Sequence, residues 1–328
     1  MPRRSKQGEV ESIRVRLLDL LVNFKRELQS PHLRRKVQAL IPAYHLLRDL
    51  GSSLIQPVDA SSGIDRILHY LRKYPQTIVE GDELMVVSGI GEWARRVRQL
   101  RVQFGWWIYS GVTFANMAED ARDVGNESEI ESLTTALGID PSKVKPDQYI
   151  LMRADQDLHA AYRWNVLNDI RKKKGSVADK LLEYFRKNIG QEISGEELKY
   201  LAKDKKEWAR RVRELRTEQG WPIVTKNSGR DDLAVGVYVL EEDRQAFEHD
   251  RLIPDSIRIA VLQRDGFKCV EHNCGWHRGM LSPEDPRKML ELHHIEHHRN
   301  KGENTIDNLI TLCNVHHDER HRNTRRVL

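Results

Sequence analysis

A chain of 328 residues, 39% hydrophobic and 31% charged, is long enough for about two or three domains with cores of their own and too apolar to be disordered. The net charge of +5 favours a polyanionic partner, yet 49 acidic residues exclude a simple basic tail, so charge has to be read locally. No stretch approaches the roughly 18 apolar residues of a membrane span, Met1–Gln7 is basic with no apolar segment behind it, and Cys269, Cys274 and Cys313 crowd into the last 60 residues; this predicts a cytoplasmic protein with no membrane partner and a local metal site instead of a disulfide framework.

From Val10 to Leu28 apolar residues recur at three-and-four spacing, the mark of an amphipathic helix. A second helix is expected to start at Ser30-Pro31, kink at Pro42 and end at Gly51, with Ser52–Gly63 as a linker. An internal repeat then organises most of the chain. Glu92-Trp-Ala-Arg-Arg-Val-Arg-Gln-Leu-Arg101 returns as Glu207-Trp-Ala-Arg-Arg-Val-Arg-Glu-Leu-Arg216, nine of ten positions matching, each followed by Gly-Trp. Both copies are preceded by an amphipathic helix (Ile64–Lys73; Val177–Lys187) and a short acidic segment (Glu80–Leu84; Gly195–Leu201). Both are followed by β-like runs: Trp106–Tyr109 and Gln148–Met152, with an insertion between them, in the first copy; Trp221–Thr225 and Val235–Leu240, around the turn Lys226–Gly229, in the second.

Three helices followed by a hairpin resemble a winged-helix domain, so the predicted fold class is α+β and multidomain. Residues 1–58 form a helical region and 59–155 a first winged-helix-like domain with an insertion in its wing. A linker helix over 156–175, a second such domain over 176–248 and a C-terminal module over 249–328 follow. On each repeated helix one stripe faces a core (Trp93, Val97, Leu100 and Phe104; Trp208, Val212 and Leu215), which makes the tryptophans core anchors. Arg95, Arg98 and Arg101 share another face, as do Arg210, Arg213 and Arg216. Such arginines suit phosphates and guanine edges of double-stranded DNA. The competing reading is a solvated face paired to local carboxylates such as Glu207 and Glu214.

The C-terminal module runs through Cys269, Cys274-Gly-Trp276, Leu290-Glu-Leu-His293-His294-Ile295, Asp307-Asn308, Cys313 and His316-His317. In this order the residues resemble the HNH family of nucleases, whose fold is a ββα-metal hairpin and helix. The resemblance implies a structural Zn²⁺ on Cys269, Cys274, Cys313 and His316, with His272 a rival to Cys274. It implies His294 as general base, Asn308 as the residue holding the base's loop, and His293 and His317 on a catalytic cation, Mg²⁺ or Mn²⁺; His321, four residues after His317 on the same helix face, can reach the same ion as a further ligand. His297 and His298 are given no role, while Arg299, Lys301, Arg320, Arg322, Arg325 and Arg326 are available to phosphate. The whole then resembles a bacterial restriction endonuclease, type II or modification-dependent. One centre cuts one strand, so cleavage of both implies a homodimer, with the first two helices as its interface. The alternatives are a homing or phage-type nickase and a non-catalytic regulator that keeps the module as a zinc platform.

Overall fold

In a computed structural model, residues 6–246, 252–296 and 303–326 are described, the side chains of 323–326 excepted. The chain divides into two compact units, 1–111 with 145–161 and 112–144 with 162–328.

The first unit opens with two antiparallel helices, α1 (Val10–Leu28) and α2 (Leu33–Ser53). α2 begins two residues later than expected: Pro31 precedes it and His32 is its cap residue without a side-chain cap bond. Pro42 lies inside the helix, and Gly51 does not end it. Gly51 is there for packing instead, since a Cβ would meet the Val86 carbonyl oxygen at 2.6 Å. The first repeat follows: α3 (Gly63–Lys73), β1 (Val79–Glu80), α4 (Gly81–Ser88), α5 (Trp93–Arg98) and β2 (Trp106–Ser110). After β2 the chain leaves for α6 (Gly111–Asp123) and α7 (Glu127–Leu137), then returns as β3 (Gln148–Gln156). The strands pair antiparallel in the order β1-β3-β2, over a core of Ile67, Leu71, Leu84, Val97, Leu100 and Leu151.

The second unit holds the same order of elements after α8 (Ala160–Lys172). They are α9 (Val177–Lys187), β4 (Ile193–Ser194), α10 (Gly195–Leu201), α11 (Trp208–Thr217), β5 (Ile223–Val224) and β6 (Val237–Leu240), again with the third strand central, β4-β6-β5. The two copies share their construction in detail. Ser62 with Asp65 and Ser176 with Asp179 close equivalent capping boxes at the starts of α3 and α9. Trp93 and Trp208 each lie on the glycine that opens the preceding helix: a Cβ on Gly81 would meet Trp93 at 2.5 Å and one on Gly195 would meet Trp208 at 2.9 Å. Each indole also packs edge-on against a strand tyrosine, Tyr149 or Tyr238, with ring centroids 5.9 Å apart in both.

One expectation about the first copy fails at Phe104. After α5 the helix widens into a π-turn over Gln99–Gln103, closed by a bond from the Phe104 N–H to the Gln99 carbonyl. The extra residue shifts the phase, so Val102 is buried and Phe104 is exposed.

The insertion α6–α7 groups with the second unit, not with the strands β2 and β3 that it separates. Thr113 bonds Glu196, Trp208 Nε1 donates to Asn116 (3.3 Å), Arg213 pairs with Asp120 (3.0 Å), and Asn227 donates to Glu129 (2.7 Å). The C-terminal module consists of α12 (Asp255–Arg264), the antiparallel hairpin β7 (Leu290–His294) and β8 (Leu309–Cys313), and α13 (Asn314–Arg326). Among the described residues no helix is long and apolar enough to cross a membrane.

Candidate active site and metal centres

Among the described residues the module gathers ligand-type side chains into a Cys₃His group and, around His317, two overlapping groups, His293–His317–His321 and Glu291–His317–Asp318. Cys269 follows α12, Cys313 ends β8, His316 lies in the first turn of α13, and Cys274 sits in a tight turn between Asn273 and Gly275, both with positive φ. Their donor atoms lie within 4.8 Å of one another, with His316 Nδ1 3.4 Å from the Cys269 sulfur and 3.3 Å from that of Cys313. Tetrahedral zinc with Zn–S bonds of about 2.3 Å spaces its donors by roughly 3.5–3.8 Å, so this donor set fits the ion in type and size. His272 is exposed and outside the cluster. Hydrogen bonding with the neighbouring Cys313 thiol, and then burial, push the Cys269 thiol up to about 12, while the same contact lowers Cys313. Arg287 Nη1 lies 3.9 Å from the Cys274 sulfur, placing a positive charge beside the thiols. Trp276, fully buried, packs on Cys269, Leu312 and Cys313, and its carbonyl accepts from the Cys269 N–H at 2.8 Å. The cluster therefore supplies much of this end of the module's small core.

On β7 the alternation of side chains separates two adjacent histidines. His293 faces α13, where His317 and His321 stand one turn apart; its ring centroid is 5.4 Å from the former and 4.9 Å from the latter. The Nε2 atoms of His317 and His321 approach to 3.2 Å, and all three rings are buried. Three imidazole nitrogens converging at this distance form a donor set for a divalent cation. Glu291, two residues before His293 and so on the same face of the strand, puts Oε2 3.4 Å from His317 Nδ1. Burial pushes this carboxyl up, opposed by His317 and by Arg244, whose guanidinium is 3.0 Å from Glu291 and 2.9 Å from Asp318.

His294 is completely buried, with Nε2 2.8 Å from Asn304 Oδ1; Asn304 in turn donates to the Leu252 carbonyl. Asn308 makes no contact of this kind with either histidine. Its Oδ1 accepts from the Glu296 N–H (2.8 Å) and its Nδ2 donates to the carbonyls of Glu296 (3.1 Å) and Glu303 (3.0 Å), tying together the two ends of the stretch that follows His294. Glu291 and Asn304 are the site residues that the sequence does not single out. Alternation along β7 points to Glu291 once His293 is known; Asn304 carries no periodic or spacing signal.

The six arginines expected at DNA divide. Arg95 is exposed beside Glu92 (3.4 Å), Arg98 is exposed and Arg101 half-buried. Arg210 is exposed but bonded to Glu214 (2.9 Å), the local pairing that competes with the DNA-reading face. Arg213 is turned into an ion pair with Asp120 of α6, and Arg216 is buried in a pair with Asp255, the first residue of α12. These two are held inside the second unit and are not available to a ligand. Arg320 is paired with Glu271 (2.9 Å) and Arg322 is exposed; His297, His298, Arg299 and Lys301, and the side chains of Arg325 and Arg326, lie outside the described residues.

The HNH endonuclease family model matches residues 269–323, a span that begins at Cys269 and contains these groups, His294 and Asn308. This module belongs to the HNH endonuclease family. A second family model, the KpnI N-terminal domain, matches residues 64–152 and 178–241, the two copies of the repeat. Together the matches are consistent with an HNH endonuclease of the restriction type. No curated protein and no solved structure matches the chain.

Proposed function

We propose that the chain is a metal-dependent restriction endonuclease that hydrolyses a phosphodiester of double-stranded DNA, with His294 as general base. The observation that carries this reading is the placement of a buried, hydrogen-bonded histidine at the end of β7 beside three imidazoles that converge on one point. His293, His317 and His321 would hold a divalent cation, which would supply positive charge against that building on the phosphate and on the leaving oxygen. His294 takes the proton of the attacking water, its ring held by Asn304, while Asn308 fixes the loop that carries it. A ring held at one nitrogen by a side chain that is itself bonded keeps a set orientation, as a base acting on a positioned water requires.

An all-nitrogen donor set bears on the metal. Mg²⁺ prefers near-octahedral oxygen ligands, whereas imidazole suits first-row transition ions. The chemistry of the site therefore favours a first-row transition ion over Mg²⁺, most strongly the later members of that row and least Mn²⁺, with Zn²⁺ as the structural ion of the Cys₃His cluster. We read the two repeats as winged-helix domains, of which the first presents Arg95 and Arg98 to DNA and the second is largely a scaffold, because their equivalents Arg210 and Arg213 are paired with Glu214 and Asp120, and Arg216 with Asp255.

The test is incubation of wild type and His294→Ala with supercoiled plasmid and Mn²⁺, with binding measured in parallel. The reading expects cleavage by wild type and none by the variant, at equal affinity for DNA. Cleavage by His294→Ala at the wild-type rate would refute the assignment of the base. Tight binding with no cutting by either would favour a regulator built on a zinc platform.

A further inference from the structure

Just before α12 the chain passes through Leu252, whose φ of +65° puts a leucine in the left-handed region that suits glycine or asparagine. Packing of the side chain does not hold it there, since the residue is 63% exposed. The backbone does. Leu252 N–H donates to the Thr217 carbonyl at 2.8 Å, and the Leu252 carbonyl accepts from Asn304 Nδ2 at 3.1 Å. Thr217 is the last residue of α11, so the carbonyl bonded here is one of those that a helix end leaves without an internal partner.

The residues beside these two bonds are fixed as well. Arg216, one position before Thr217, is buried in its pair with Asp255, the first residue of α12. Ile253 is buried in a core with Leu292 of β7 and Leu309 of β8. A residue that gives its N–H to α11, its carbonyl to Asn304 and its successor to that core has its φ dictated by its partners, and backbone strain maintained in this way collects at functional sites. The second bond also decides which way Asn304 faces. A backbone carbonyl only accepts, so the atom beside it is the amide nitrogen, and Oδ1 is turned to His294 Nε2, 2.8 Å away. Oδ1 likewise only accepts. His294 Nε2 therefore carries the proton, and the neutral ring keeps its lone pair on Nδ1.

We propose that Leu252 is a positioning residue of the nuclease, whose left-handed backbone carries the placement of α11 through Asn304 to the imidazole of His294. The proposal rests on the reading of His294 as general base. It gives the second repeat a task in the reaction: Arg213 and Arg216 are paired inside its unit, and the end of the same helix sets the ring that acts on water. The brace is a chain of hydrogen bonds, Thr217 to Leu252, Leu252 to Asn304 and Asn304 to His294. A misplacement of about 1 Å in a reacting group can cost about 100-fold in rate, so breaking any of these bonds lowers kcat and leaves the affinity for DNA in place.

The test is a series at position 252 in the zinc-loaded full-length protein, ordered by tolerance of positive φ and not by size. Leu252→Gly and Leu252→Asn adopt this φ readily and keep both backbone groups. Leu252→Val keeps the groups, but its branched Cβ disfavours the φ; Leu252→Pro fixes φ near about −65° and has no N–H. In single-turnover cleavage of supercoiled plasmid with Mn²⁺, the first two are expected within about twofold of wild type. Leu252→Pro is expected to be at least about tenfold slower, with Leu252→Val between, all at unchanged affinity for DNA. Leu252→Val keeps the result readable if the proline disrupts the fold. In an Asn304→Ala background Leu252→Gly and Leu252→Val should cut alike, because the brace is already broken. A role for the leucine side chain predicts the opposite order, Leu252→Val close to wild type and Leu252→Gly slow, and that order overturns the proposal. So does a difference between the two that survives in the Asn304→Ala background. Nitrogen NMR of labelled histidines at about pH 8, without DNA or Mn²⁺, needs no cleavage. The signal that disappears in His294→Ala is expected as the Nε2–H tautomer in wild type and Leu252→Gly, and as a mixture of tautomers in Leu252→Val and Asn304→Ala. If wild type does not cut, the nuclease reading fails, while a tautomer that follows the series upholds the brace and one unchanged across it overturns it.

Discussion

His293 and His294 are neighbours in sequence with different surroundings, because a strand turns adjacent side chains to opposite faces. The first joins His317 and His321; the second meets Asn304. The opposite facing was legible in the residues themselves, from strand alternation; that His293 joins His317, with Asn308 14 residues and His317 23 residues after His294, was what the resemblance to the HNH family implied. Glu291 was not legible, because its distance from His317 depends on how α13 packs on β7. A carboxylate behind a ligating imidazole holds the ring's orientation and raises its basicity, and losing such a partner typically weakens metal binding by about 10–100-fold. Glu291→Gln should therefore lower the affinity for Mn²⁺ by at least about tenfold, read by calorimetric titration of the zinc-loaded protein. Unchanged affinity would leave Glu291 as a partner of Arg244 alone.

Among the elements, the zinc-type cluster and the repeated helix were both visible in sequence, but to different depths. The crowding of three cysteines into the last 60 residues signalled a local metal site, but the set Cys269, Cys274, Cys313 and His316 came from the resemblance to the HNH family, with His272 left as a rival that the structure places outside the cluster. What remained hidden was which arginines of the repeated helix point outward, since Asp120 and Asp255 lie far along the chain from Arg213 and Arg216, and the π-turn that exposes Phe104 has no periodic signature. Two outcomes follow. Cys313→Ser, or chelation, should remove hydrogen-exchange protection across residues 269–322 and leave 64–152 protected, because a structural metal supplies much of the stability of so small a module. Persisting protection would mean that the apolar core around Trp276 suffices. Arg216→Ala should act on stability, leaving Asp255 buried without its partner at a cost of about 3–5 kcal/mol, seen as a lowered melting temperature. Arg95→Ala with Arg98→Ala should instead leave the melting temperature in place and weaken DNA binding, with a shallower salt dependence. The reverse pattern in melting and binding experiments would return the DNA-reading role to the second repeat.

At the scale of the molecule, the sequence placed an insertion between the strands of the first repeat, but not the company it keeps. Residues 112–144 leave those strands and join the unit containing the second repeat and the HNH module, through polar contacts between residues some 80–100 positions apart that no local pattern records. A hub of this kind, with Arg244 reaching from just beyond β6 to Glu291 and Asp318, ties the second repeat directly to β7 and α13. The first unit keeps the hairpin α1–α2 and the exposed Arg95 and Arg98, the two side chains that we propose meet DNA. The central claim, that one chain combines recognition and phosphodiester hydrolysis, is tested most directly by digesting a long natural DNA, methylated and unmethylated, with wild type in the presence of Mn²⁺ and resolving the products. A fixed set of discrete fragments is expected from at least one of the two substrates, lost with His294→Ala. A featureless smear from both, or intact DNA throughout, would contradict it.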